Sequence, residues 1–268
     1  MKLTTKWKIR PVAIMFSAAL LTFPVATFAS EGKYGGHLIA AFSADPGGFD
    51  PAMGPSGMSH VVIEQVYGTL LNLDHNAVPY AGLAESWEQS EDGLKWTFKL
   101  RPDLKFHNGE ALTAEDVVFT FNRIMPEDSG YAYRSQIETI ESVVAEDDLT
   151  VAFNLNTVTG PFEIYMAFPG SSIVPNDLVE SGHDLNAEPV GSGPFKFVSY
   201  TPRDSIKFVK NEAYYESGKP YFDEMTYRIV ADPTALANGM KSGEINFSNE
   251  VPPKDWKSIT SQDNMVDA

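Results

Sequence analysis

The stretch from Ala84 to Val117 constrains this chain most. Leu94, Trp96, Phe98 and Leu100 alternate with Lys95, Thr97, Lys99 and Arg101. Period-two alternation predicts a strand with one buried face and one wet face. Asp92-Gly93 just before it is a hairpin signal, because both residues tolerate a positive φ. It puts Trp87 on the incoming strand. Beyond Arg101-Pro102-Asp103 and Phe106-His107-Asn108-Gly109, the run Thr113-Ala114-Glu115-Asp116 predicts a helix start. A Thr hydroxyl can cap a free N–H, and acids in the first turn favour the positive end of the helix dipole. Val117, Val118, Phe121 and Ile124 then supply an apolar helical stripe. Each residue alone fits an ordinary hairpin and helix. Their order over one long segment is what is specific.

The rest of the chain alternates in the same way between strand and helix signals. Leu38 to Phe42 reads as a short apolar strand, followed by a Gly- and Pro-rich loop from Ser43 to Gly57. A helix with Ile63, Tyr67, Leu70 and Leu71 on one face is expected next. Ile137 to Ala145 and Leu149 to Leu155 read as strands joined at Asp147-Asp148, and Pro161 to Phe168 as a helix. Val190-Gly-Ser-Gly-Pro-Phe-Lys-Phe197 predicts a tight crossing that opens a strand at Phe195, with β character continuing through Ile206, Phe208 and Val209. Asp232-Pro233 predicts a helix with Asp as N-cap and Pro at its first position. Gly243 closes it, and Gly243-Glu-Ile-Asn246 leads into a further strand.

Composition bounds the chemistry. The 268 residues contain no cysteine, so disulfides, a thiol nucleophile and a lipid-bearing cysteine are all excluded. Residues 1–29 read as a secretory signal: Lys2, Lys6, Lys8 and Arg10, a short apolar core from Val12 to Phe23, and Thr27-Phe28-Ala29 at the cleavage positions. The alternative, an uncleaved anchor, is disfavoured by Pro24 in the apolar run. Loss of those four positive charges takes the net charge from −16 to −20, which repels nucleic-acid phosphates. Export without an anchor implies a free periplasmic protein. His37, His60, His75, His107 and His183 lack metal-ligand spacing. His107 with Glu110 comes nearest to a pair. Gly-x-Ser-x-Gly, Ser-x-x-Lys, His-Glu-x-x-His and a phosphate-binding loop are all missing, so no catalytic residue, metal or cofactor is expected.

The Ala84–Val117 segment resembles the signature region of family 5 extracellular solute-binding proteins, the receptors of dipeptide and oligopeptide ABC importers. The later segments are similar to the same family. Its members carry Gly-Thr-Gly-Pro-Tyr or Phe, Asn-x-x-Tyr-Trp and Gly-Glu-Ile-Asp. Here Ser192 replaces Thr, Tyr215 replaces Trp and Asn246 replaces Asp. The resemblance implies an α/β fold with mixed sheets, the first lobe of a type II periplasmic binding protein of the dipeptide-binding class. It implies a first-lobe segment at 30–75, an inserted smaller domain at 76–188 and a return segment at 189–268. Family members run to roughly twice this length and close two lobes on a ligand. The chain therefore reads as an N-terminal half with the second lobe missing. Exposed apolar surface and a frayed terminus near Val266 are expected.

The resemblance also suggests ligand contacts. In similar dipeptide receptors the loop after a Phe-Asn-Pro motif touches the ligand. The matching motif is Phe49-Asp50-Pro51, which nominates Pro55, Ser56 and Gly57. Ser56 or Ser59 could equally serve as a helix cap. Tyr131 and Tyr133 could wall a pocket or pack locally, and Asn249 is a further candidate. The implied partners are a small peptide or similar solute and the permease subunits of an importer. Glutathione, nickel chelates, oligosaccharides and opines are the other ligand classes. The rival reading is a docking or chaperone-like module that captures no ligand.

Overall fold

The predicted hairpin is present, and it forms one edge of one of the three sheets among the described residues. In a computed structural model, which describes residues 34–54 and 56–261, the elements run as follows. Strand β1 (His37–Phe42) leads to helix α1 (Gly57–Val66) and the small hairpin β2 (Leu71–Leu73) and β3 (Pro79–Ala81). Strands β4 (Ala84–Gln89) and β5 (Lys95–Leu100) precede α2 (Ala114–Ile124), β6 (Ile140–Asp147), β7 (Thr150–Leu155), α3 (Phe162–Met166) and α4 (Asn176–Glu180). Strands β8 (Phe195–Thr201), β9 (Ser205–Lys210) and β10 (Glu224–Ile229) lead to α5 (Pro233–Ser242) and α6 (Trp256–Thr260). The predicted signal at 1–29 and the expected fraying near Val266 lie outside the described residues.

Strands β4, β5, β7 and β6 form an antiparallel sheet in that order. Trp96, Phe98 and Leu100 are buried as their alternation requires. Phe98, Phe121, Phe153 and Phe162 form the centre of this core, with the Phe121 and Phe153 rings edge-to-face at 4.8 Å. In the hairpin only Gly93 takes a positive φ. Asp92 works through its carboxylate instead, which accepts from the Ser90 hydroxyl at 2.6 Å and the Leu94 N–H at 3.0 Å. At the start of α2, Asp116 accepts the Thr113 N–H at 2.8 Å and also the Asn176 N–H at 3.0 Å. One carboxylate thus caps α2 and ties it to α4.

A second sheet runs β1-β10-β9-β8 and is mixed: β1 pairs parallel with β10, and the others are antiparallel. Adjacent residues of a strand face opposite sides. Ala40 joins the core under α1 with Val62, Ile63 and Val66, while Ala41 packs with Leu236, Ala237 and Met240 of α5. The sheet is therefore covered on both faces at β1, while Lys207 and Val209 of β9 stay exposed on the face of Ala41. Asp232 caps α5 by accepting the Ala235 N–H at 2.7 Å, and Gly243 ends it at φ 78°. The strand expected after Gly243 shrinks to one bridge, Phe247 beside Ala40.

Two sequence expectations need correction. The first helix stops at Val66, so Leu70 and Leu71 are not on it; Leu71 already pairs with Ala81. Tyr67 turns extended because the Gly191–Gly193 crossing passes directly under the helix end. Gly193 donates its N–H to the Val66 carbonyl at 2.9 Å. A Cβ at Gly191 would stand 2.3 Å from the Val66 oxygen, and one at Gly193 would stand 2.6 Å from the Gln65 oxygen. The second correction is that β6 begins at Ile140, because Ile137 closes a tight turn on the Arg134 carbonyl.

His107 clamps the same crossing. Its Nε2 donates to the Gly193 carbonyl at 3.0 Å, and its N–H to the Gly191 carbonyl at 2.7 Å. Glu110 pairs with Asn108 at 2.7 Å rather than with His107. Burial lowers the His107 pKa to about 4.

Two outcomes follow from this crossing. Gly193→Ala should cost about 3 kcal/mol of stability, read as a lower urea midpoint, because the added methyl meets backbone that cannot step aside. A neutral buried imidazole stabilises fully above its unfolded pKa of about 6.5 and loses that contribution as pH falls through about 4. Urea titrations at pH 7, 5 and 4 should show His107→Gln losing less stability on acidification than the parent. Parallel losses would remove His107 as the cause.

Candidate functional site

The loop between β1 and α1 carries three of the nominated residues, and it is held unusually firmly. Asp50 is 4% exposed, and both its oxygens bind the Arg123 guanidinium on α2, Oδ1 at 3.0 Å. The same Oδ1 accepts the Ala52 N–H at 3.0 Å. Asn186 reaches in from the other side and accepts the Phe49 and Asp50 N–H groups at 3.0 and 3.2 Å. Gly48 is required there, since a Cβ would stand 2.8 Å from the Asn186 oxygen. Phe49 packs edge-on to Tyr200 at 5.1 Å, and the Tyr200 hydroxyl donates to Asp45 at 2.9 Å. The hydrogen bond to Asp50 is the main cause that holds the Arg123 pKa above its usual range.

Ser56 is the N-cap of α1. Its hydroxyl accepts the Ser59 N–H at 3.1 Å, lies 2.9 Å from the Ser59 hydroxyl, and accepts the Gly47 N–H at 3.2 Å. That is the capping role the sequence left open. Gly57 is exposed, with open space where a side chain would be. Pro55 lies outside the described residues.

Tyr133 comes close to this helix start. Its ring lies 5.4 Å from His60 on α1 and 4.6 Å from Phe168, with Tyr131 at 5.9 Å. Tyr131 is 5% exposed and belongs to the core, where burial pushes its phenol up to about 12. Gly130 lies against the exposed Met53, joining the tyrosine loop to the β1–α1 loop. The structure therefore gathers Ser56, Gly57, Tyr131 and Tyr133 around one end of α1. Asn249 is exposed and sits past Phe247 beside β1. It flanks the opposite end of the loop, where Glu250 accepts the Ser43 hydroxyl at 3.0 Å.

His60, Phe168, Met53 and Arg123 escaped the sequence reading. His60 was legible from its helical spacing to Ser56. Arg123 was not, since 73 residues separate it from Asp50. A cleft of about 580 Å³ opens at the other end of α1, between β2, β3, α3 and the segment 214–222. Among the described residues no group of His, Asp or Glu could hold a metal ion.

These features define an α/β binding lobe: packed sheets, a pinned loop and an open helix start flanked by tyrosines. The comparisons agree with that class. The family model for bacterial extracellular solute-binding proteins, family 5 Middle, matches residues 78–267, and the chain belongs to that family. Di/tripeptide-binding protein 4 of Pseudomonas aeruginosa is 32% identical over 271 residues, covering 92% of this chain and 51% of the relative. Among solved structures, the periplasmic binding protein DppA from Helicobacter pylori in complex with peptide STSA superposes at TM-score 0.81 with 29% identity. It covers 87% of this chain and 50% of that one. The binding protein AgaA in complex with agropinic acid, from A. tumefacien R10, gives TM-score 0.80 and 33% identity, with 85% and 46% covered. The chain spans about half the length of the relatives it matches. These relatives are solute-binding proteins, not enzymes. No helix among the described residues is long and apolar enough to cross a membrane.

Arg123→Ala should cost about 3 kcal/mol by leaving Asp50 buried and unpaired. Asp50→Ala with Arg123→Ala should cost clearly less than the two single changes added together. A double-mutant cycle by urea unfolding checks this, and strict additivity would show that the two residues are uncoupled.

Proposed function

We propose that this protein supplies the first lobe of a periplasmic receptor for an ABC importer of small peptides or similar solutes. The observation that carries the reading is the family match over residues 78–267 joined to a loop pinned at Asp50 and open at Gly57. Residues 1–29 act as the export signal and are removed. Residues 30–75 and 189–268 build the lobe, and 76–188 form the inserted smaller domain. The ligand lies across the start of α1, with Ser56 and Gly57 below it, Tyr133 beside it and Asn249 at the far end, and Pro55 is a further nominated contact. Tyr131 backs Tyr133 from the core. Ser56 is committed to its cap, so it contributes position more than a free hydroxyl. A second lobe closes over the ligand, and the closed form docks on the permease. Two relatives point to the solute range worth testing: one is named for glutathione, and another was solved with agropinic acid.

A thermal-shift panel of di- to pentapeptides, glutathione and opines tests the reading. A ligand at a hundredfold its Kd adds about 2.7 kcal/mol, roughly 5–10 °C for a domain of this size. The shift should fall in Tyr133→Ala. Silence from every solute at millimolar concentration would favour the docking module that captures no ligand.

A further inference from the structure

The cleft at the far end of α1 has a chemistry of its own. Glu64, which lines the cleft, lies seven residues along α1 from Gly57, about 10 Å along the axis. Its volume of about 580 Å³ falls in the range that holds small ligands. Eight of its 21 lining residues are aromatic, against 12% of the whole chain. Several are also exposed: Tyr80, Tyr221 and Phe222 open onto solvent at its rim, with Leu73 and Ile164.

The walls are held in place before any ligand arrives. The Tyr215 hydroxyl accepts from Asn72 Nδ2 at 3.2 Å, and the Arg101 guanidinium covers its ring at 5.0 Å. Tyr214 donates to Glu216 at 3.2 Å, and Lys219 pairs with Glu216 at 2.6 Å. The one cation in the lining is therefore already neutralised. Glu64 is different. It projects from α1 into the cleft and, among the described residues, makes no hydrogen bond or ion pair. It keeps access to solvent, yet the surrounding walls withdraw enough water to raise its carboxyl pKa.

We propose that this cleft binds an organic cation, a protonated amine carried on an apolar or aromatic body. The cation would sit against Glu64, and its body would lie against the exposed rings of Tyr80 and Tyr221. Ring faces carry negative potential and attract ammonium groups, more so where water is partly excluded. An unpaired carboxylate among such rings supplies the charge that a neutral solute cannot use. Phe168 lines this cleft and also packs on Tyr133, so the cleft adjoins the start of α1, but the proposal does not depend on the peptide reading.

The test is an NMR titration of the protein with 2-phenylethylammonium and with 2-phenylethanol, its neutral counterpart. The ammonium probe should perturb amides of α1 near Glu64 and of segment 214–222. Glu64→Gln should weaken it about fivefold while leaving the alcohol unchanged. Tyr80→Ala, at an exposed rim position, should weaken both probes. Equal affinity for the two probes, an undiminished ammonium affinity in Glu64→Gln, or perturbations confined to residues around Gly57 would each overturn the proposal.

Discussion

The ion pair between Asp50 and Arg123 is the constraint on which the candidate site depends. A buried pair of this kind rarely stabilises more than an apolar pair of equal size, because two charges must leave water. Its value is geometric. Two guanidinium nitrogens grip two carboxylate oxygens, which fixes direction as well as distance. Asp50 then turns the chain onto Ala52 and so delivers Ser56 to the start of α1. A loop rich in Gly and Pro would otherwise sample many conformations. Here it is held from α2 on one side and from Asn186 on the other. Binding a ligand on such a loop need not include the entropic cost of ordering it.

The crossing at Gly191–Gly193 plays the corresponding role at the other end of the helix. Gly193 ends α1 by taking the Val66 carbonyl, and its own carbonyl accepts from both His107 and Asn211. Three segments far apart in the chain thus meet at one peptide group. The signature loop around His107 is conspicuous in the sequence, yet its histidine does structural work. Nothing about Phe-His-Asn-Gly in isolation separates a clamp from a catalyst. Only the position of the Gly193 oxygen does.

Local patterns read well in this protein where the physics is local. The alternation of Trp96, Phe98 and Leu100, the caps at Thr113–Asp116 and Asp232, and the glycine stop at Gly243 all depend on neighbours within a few residues. The α/β class with mixed sheets came from the family resemblance, and the sheets bear it out. The misreadings arose where distant segments intervene. Leu70 and Leu71 have helical spacing from Ile63, but a glycine crossing some 120 residues later in the chain stops the helix first. The candidate site was legible only in outline. Ser56, Gly57, Tyr131 and Tyr133 came from resemblance, and their gathering at one end of α1 rests on ring packing with His60 and Phe168 that no spacing encodes.

The parallel pairing of β1 with β10 has a consequence for how the protein is made. His37 lies opposite Glu224, 187 residues later, and among the described strands β1 pairs with β10 alone, with a single bridge to Phe247 on its other edge. Strand β1 therefore waits for β10. All the intervening chain must be synthesised before that pairing can form, and closing so long a loop slows the search. During that interval β1 offers Leu38, Ile39 and Phe42 on an unpaired edge, a template for wrong partners. Sequestration of this strand until β10 has been made would bear on yield as strongly as any contact in the finished fold.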